Sequence, residues 1–250
     1  VGQIQSFIQY IKSFTQPVQQ IAQVTNMLQS TAAASERVFE FLEEEEEDQT
    51  VEKPVKLKNP EGEVRFEHIS FGYDPDQIII HDFSTEVHPG QKVAIVGPTG
   101  AGKTTLVKLL MRFYDVNSGS IKVDGHDVRD FNRADLRELF GMVLQDTWLF
   151  NGTIMENIRY GKLDATDEEV IEAAKAAHAD SFIRTLPGGY QMVLNEETSN
   201  ISQGQKQLLT IARAILADNP ILILDEATSS VDTRTEIRIQ KAMDHLMKGR

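Results

Sequence analysis

Three short stretches carry the residues best suited to chemistry. Gly97-Pro98-Thr99-Gly100-Ala101-Gly102-Lys103-Thr104 has the spacing G-x-x-x-x-G-K-T and lies between an apolar run and a helical stretch that continues through Thr105. Its glycines let the backbone curl until successive N–H groups face an anion, and the helix start adds the positive end of its dipole, so the stretch suits phosphate. Lys103 then reaches the β- and γ-phosphates of a nucleotide, and the Thr104 hydroxyl is offered to Mg²⁺. The second stretch, Ile221-Leu222-Ile223-Leu224-Asp225-Glu226, is an apolar run ending in two acids. As a strand it sets both carboxylates at the C-terminal edge of a sheet, where a phosphate loop also opens. Asp225 suits the shell of Mg²⁺, and Glu226 suits a carboxylate that orients and polarises an attacking water. The third, Ile201-Ser202-Gln203-Gly204-Gln205, opens a helix. Ser202 and Gln205 fit a capping box, which is a purely structural role. The same helix start, with its hydroxyl and free N–H groups, is also an anion site, and spacing does not say whose phosphate it would bind.

Alternating elements must position these stretches. Short β-type runs at Val64–Phe71, Val93–Val96, Ile121–Val123, Met142–Leu144 and Ile221–Leu224 alternate with helical stretches at Lys103–Phe113, Asp167–Ala177, Gln203–Leu216 and Thr235–Met247. Val93–Val96 and Ile221–Leu224 are continuously apolar, as strands buried on both faces of a parallel sheet are. An α/β domain without internal repeats is predicted from about Val64 onward. Ahead of it, in a glutamine-rich segment, Ile4, Phe7, Ile11, Phe14, Val18, Ile21 and Leu28 form one stripe of a long helix reaching about Leu42. Pro17 is expected to kink that helix or divide it. The stripe fits a helix packed on a neighbour and equally the end of a membrane helix emerging into water. Glu43 to Asp48, an unbroken run of acids, reads as a solvated linker.

Composition narrows the field. The chain has 250 residues, 40% hydrophobic and 25% charged, within the range of folded proteins. With no cysteine it has neither a disulfide framework nor a thiolate metal site. A net charge of −13 argues against binding nucleic acid backbones as the main role. No stretch reaches the ~20 apolar residues that span a bilayer. A start at Val1, without an initiator Met or a signal-peptide pattern, reads as a piece of something longer.

In this order the stretches resemble the nucleotide-binding domain of ATP-binding cassette (ABC) transporters of the exporter type, from about Val64 to the end. The resemblance implies a P-loop NTPase of ABC-ATPase type, an α/β fold with a mixed-sheet core plus a helical subdomain. A long N-terminal helix would precede it, and the domain would be incomplete at its C-terminus. Residues 1–42 would be the cytoplasmic extension of the last transmembrane helix, 43–60 an acidic linker, and 61–250 the domain. Gln145, in Gly141-Met142-Val143-Leu144-Gln145, fits a family glutamine that contacts Mg²⁺ or the attacking water, and the stretch after it would touch the membrane domain. Tyr73 resembles the aromatic that stacks on adenine. Asp232, in Ser229-Ser230-Val231-Asp232, resembles the loop that meets a partner domain. Residues 201–205 are similar to the signature Leu-Ser-Gly-Gly-Gln, which closes over the γ-phosphate held by a second domain. The function implied is ATP hydrolysis powering export at the cytoplasmic face of the cell membrane. ATP and Mg²⁺ would be bound, with the transmembrane domain of the same chain and a second nucleotide-binding domain as partners. A soluble ABC ATPase acting in DNA repair, chromosome structure or translation is the rival, as is an ATP-binding clamp with little hydrolysis.

Two departures from the family pattern stand out. Gln203 occupies a position where the family usually has glycine, and a side chain there would crowd the approach of backbone to phosphate. That points to a heterodimer in which this chain keeps a competent P-loop and Glu226 but lends a degraded signature. The family's switch histidine is expected on a later strand, beyond Arg250, and His245 is not promoted to its role.

Overall fold

The computed structural model describes residues 2–47, 50–74, 76–144, 147–195, 200–225 and 233–250. The chain divides into two compact units, Val1–Asp48 and Gln49–Arg250. The first is the helix α1 (Gly2–Leu42), of 41 residues. Pro17 lies inside it and does not divide it. A proline withdraws one ladder donor and crowds one carbonyl, whereas the bonds on either side remain. Ser6, Thr15, Thr25 and Thr31 each donate their hydroxyl to the carbonyl four residues earlier, at 2.8–3.1 Å. No residue of α1 is buried, so the whole apolar stripe is exposed. No helix among the described residues is long and apolar enough to cross a membrane.

The second unit opens with β1 (Val64–Phe71) and β2 (Ile80–Val87), followed by α2 (Lys103–Leu110), β3 (Ser118–Val123) and β4 (His126–Asp127). These strands form an antiparallel sheet in the order β2-β1-β3-β4. Along β1 the inward residues Val64, Phe66, Ile69 and Phe71 are buried, and a bulge between Phe66 and Ile69 resets the alternation. They pack with Leu106 and Leu109 of α2, Ile121 and Val123 of β3, and Phe131 to make one core. Helix α2 stops short of the predicted Phe113. Arg112 takes a left-handed conformation (φ 53°), its N–H bonds the Leu109 carbonyl, and the Phe113 N–H bonds Lys108. This pair of hydrogen bonds closes a helix end usually marked by glycine, and no residue type marks it here.

After the short α3 (Arg133–Arg137) come β5 (Phe140–Val143), β6 (Gly152–Thr153) and α4 (Ile154–Arg159). The chain continues through α5 (Asp167–Ala176), α6 (Asp180–Ile183), β7 (Val193–Leu194), α7 (Gln203–Ala217), β8 (Ile221–Leu224) and α8 (Thr233–Leu246). Helices α5, α7 and α8 follow the predicted spans within two residues. A second core forms among α4–α8, centred on Ile154, Ile158, Val170, Leu208, Leu209 and Ile239. β5 joins the two cores, since Phe140 belongs to the first and Val143 to the second. β5 pairs in parallel with β8, from Phe140 opposite Ile221 to Val143 opposite Leu224.

Two expectations about apolar runs need correction. Residues 91–98 form no strand, and Val93, Ile95 and Val96 are 51%, 50% and 86% exposed. β8 does form, but every one of its residues is half-buried instead of fully buried. The reason is the same for both. An apolar run becomes a buried strand only beside a backbone that can take its N–H and C=O groups. Among the described residues β8 has such a neighbour in β5 on one side, and residues 93–96 have none.

Local bonds fix the helix starts. Thr153 with Glu156, Thr166 with Glu169, and Ser202 with Gln205 each make a complete capping box. Backbone N–H bonds from Thr153 and Thr166 hold the Glu156 and Glu169 carboxyls below the usual carboxylate range. On α4, Asn157 is fully buried. Its side chain accepts from the Phe150 N–H and donates to the Phe150 and Thr153 carbonyls at 3.0–3.1 Å. Asn157→Ala is therefore expected to lose about 3 kcal/mol by leaving these backbone groups unpaired in the interior, read as a lower urea midpoint. A depressed carboxylate pKa adds stability above the unfolded value of about 4.3 that is lost as pH falls through the folded value. Comparing urea midpoints at pH 7 and pH 3.5 should thus show a smaller acid loss for Glu156→Gln/Glu169→Gln than for the wild type.

Candidate functional site

Residues 97–104 form a loop that turns into α2. Gly100 and Gly102 have φ of 85° and 86°, a conformation side-chain-bearing residues rarely take, and Gly102 is the N-cap of the helix. The loop closes on itself through the Ala101 N–H to the Pro98 carbonyl (3.1 Å). Lys103 folds back across it, its ammonium donating to the Gly97 and Pro98 carbonyls at 2.7 and 3.0 Å. An ammonium has three protons, so one is left to face outward. Among the described residues no side chain caps α2, and the first N–H of its turn to find an acceptor is that of Leu106, on Gly102. The N–H groups of Lys103, Thr104 and Thr105 are thus offered together at the positive end of the helix. Thr104 is exposed beside them, whereas Thr105 is buried.

The Thr105 hydroxyl lies 3.3 Å from the Tyr73 hydroxyl, which brings the sequence-predicted aromatic to the first turn of α2. Tyr73 is 48% exposed. Phe71 and Tyr114 hold its ring edge-to-face at 5.1 Å each, and the Lys108 ammonium sits 5.7 Å from the ring centre. Tyr114, half-exposed in the same cluster, carried no spacing signal in the sequence. Gly72 sets the turn: its N–H bonds the Asn117 side chain at 2.8 Å, and a Cβ there would run into the Gln77 carbonyl oxygen.

The other predicted residues lie at strand and helix ends. Asp225 follows β8 directly, is exposed, and extends the ladder by donating its N–H to the Val143 carbonyl at 2.9 Å. The parallel register ends β5 and β8 level with each other, so the segments leading to Gln145 and to Asp225-Glu226 start from one sheet edge. Gln145, Glu226 and Asp232 themselves lie outside the described residues. At the start of α7, Ser202 and Gln205 exchange their capping bonds at 2.9 and 3.3 Å. The Gln203 and Gly204 N–H groups have no acceptor among the described residues. Trp148 and Phe150, between Gln145 and α4, form an aromatic cluster with Tyr160 at the end of α4, with ring centres about 6 Å apart, Trp148 and Tyr160 being 61% and 54% exposed. The sequence pointed to this stretch only through the family resemblance.

Comparison with known proteins places this arrangement. A family model described as "ABC transporter" matches residues 80–229. A fatty acid ABC transporter ATP-binding/permease protein of Mycobacterium bovis is 56% identical over all of this chain, which covers 39% of that protein. An ATP-dependent lipid A-core flippase of Syntrophus aciditrophicus is 42% identical over all of this chain and 41% of its own length. Among solved structures, a bacterial Atm1-family ABC exporter with ATP bound superposes with a TM-score of 0.78 at 38% identity, covering 96% of this chain and 42% of that one. The chain thus spans about two fifths of the length of the relatives it matches. With the family model laid over more than half of its residues, and with relatives of this kind aligned from end to end, this chain belongs to the ABC transporter family.

Proposed function

We propose that this domain hydrolyses ATP to power export by a membrane transporter, acting from the cytoplasmic face as a head-to-tail dimer with a second nucleotide-binding domain. The observation that carries the reading is the start of α2, where three backbone N–H groups have no acceptor among the described residues and Lys103 folds back over the same loop. Export-type relatives that include a permease part support the transport reading over a soluble ABC protein. The exposed cluster of Trp148 and Tyr160 is the face we assign to the membrane part of the same protein.

In this scheme ATP lays its β- and γ-phosphates against the N–H groups of residues 103–105, with the free proton of Lys103 on the γ-phosphate and the adenine against Tyr73. The donors suited to Mg²⁺ are hard oxygens, as that ion requires: the exposed Thr104 hydroxyl, the Asp225 carboxylate and the Gln145 amide oxygen. Bound there, Mg²⁺ neutralises charge on the phosphates. Glu226 orients the water that attacks the γ-phosphorus, and the bond to the β,γ-bridging oxygen breaks to leave ADP and phosphate. Ser202 to Gln205, together with Asp232, serve the nucleotide held by the partner domain.

Glu226→Gln is expected to lower turnover by about 100-fold or more while ATP binding persists, measured as steady-state phosphate release and as nucleotide affinity on the whole protein in detergent. Unchanged turnover would remove Glu226 from the mechanism. Tyr73→Ala should weaken ATP binding about tenfold through lost stacking, and Tyr73→Trp should keep it. Gly72→Ala is expected to act like Tyr73→Ala, because it displaces the turn that presents the ring; equal ATP affinity in Gly72→Ala and wild type would contradict the assignment.

A further inference from the structure

Gln203 does more at the start of α7 than occupy a position where glycine is usual. Its side-chain amide donates to the Thr147 hydroxyl at 3.2 Å, across 56 residues of sequence. Thr147 stands two residues after Gln145 and opens the segment 147–150. The far end of that segment is firmly held. Buried Asn157 binds both backbone groups of Phe150, and Arg213 donates to the Trp148 carbonyl at 3.1 Å and to the Asn157 carbonyl at 2.9 Å. Arg213 lies ten residues beyond Gln203 on α7, about 15 Å along the helix. The segment is thereby fastened to α7 at two separated points. At the end nearest Gln145, the fastening among the described residues is the Gln203 amide.

We propose that Gln203 is a positioning residue, tying residues 147–150, which follow Gln145 in sequence, to the start of α7. The inference rests on the function proposed above, in which Gln145 serves this domain's own nucleotide and the start of α7 serves the partner's. Through this bond the placement of the start of α7, which serves the partner's nucleotide, bears on the residues that follow Gln145. The Gln203 N–H needs no side chain to meet a phosphate, and a glycine there would keep it. What glycine removes is the bond to Thr147. Tethering and crowding therefore predict opposite results for Gln203→Gly: crowding predicts a faster enzyme, and tethering a slower one.

The test is ATP turnover by the whole protein in detergent, with its partner subunit if one is required, for Gln203→Gly, Thr147→Val, Thr147→Ser, the Gln203→Gly/Thr147→Val double variant and Glu226→Gln. Gln203→Gly and Thr147→Val are each expected to lower kcat about fivefold, the effect of one neutral hydrogen bond, with KM for ATP changed less than twofold. Thr147→Ser retains the hydroxyl and should retain kcat. The double variant should be no slower than either single one, because both remove the same bond. A kcat for Gln203→Gly that is unchanged or raised overturns the tether, as does a double variant whose loss is the product of the two single losses. With Glu226→Gln silent, such a result leaves the site reading standing and removes the tether alone. Wild-type turnover in Glu226→Gln overturns the site reading and the tether with it.

Discussion

An α-helix leaves its first N–H groups without partners, and much of this domain is arranged around one place where that shortage is left open. At the start of α2 no side chain among the described residues caps the turn, whereas α4, α5 and α7 each receive a Thr or Ser cap closed by a Glu or Gln. The difference is consistent with use. A capped turn has spent one of its donors on the protein, and an uncapped turn keeps them for a ligand. Left-handed glycines make the uncapped turn sterically possible, and Lys103 satisfies carbonyls that the tight loop turns inward.

In the proposed reaction the other groups come from beyond this turn, and β5 links the elements that lead to them. It borders both cores and pairs with β8, so the sheet edge that leads to Asp225 is continuous with the packing of α7, which starts at Ser202. Asn157 and Arg213 extend that continuity from α7 to residues 147–150. Most of these links are hydrogen bonds to backbone groups, which fix position with less dependence on side-chain packing than an apolar contact would have.

How much of this was legible in the sequence depended on the range of the interaction. The glycine loop, the capping box at Ser202 and helices α5, α7 and α8 are set by neighbours within a few residues, and their patterns declare them. Tyr73 and Gln145 carried no local signal, and only the family resemblance singled them out. The pairing of β5 with β8, the contact of Tyr114 with Tyr73 and the bond from Gln203 to Thr147 join distant segments, and no spacing rule encodes them. The apolar run at Val93–Val96 failed in the opposite direction. Its composition recorded a tendency to pair, and pairing also needs a neighbour. Arg112 ended α2 in a conformation whose usual marker is glycine, which hid that boundary.

The unbroken course of α1 through Pro17 has a mechanical meaning. A helix of 41 residues, about 60 Å long, resists stretching and twisting along its length because every turn is cross-braced by the ladder. Proline at position 17 removes the brace to the carbonyl of Ser13, and bending stiffness falls there while axial stiffness hardly changes. The helix is therefore an elastic rod with one compliant joint about a third of the way along, able to carry a push from end to end and to flex sideways at a fixed point.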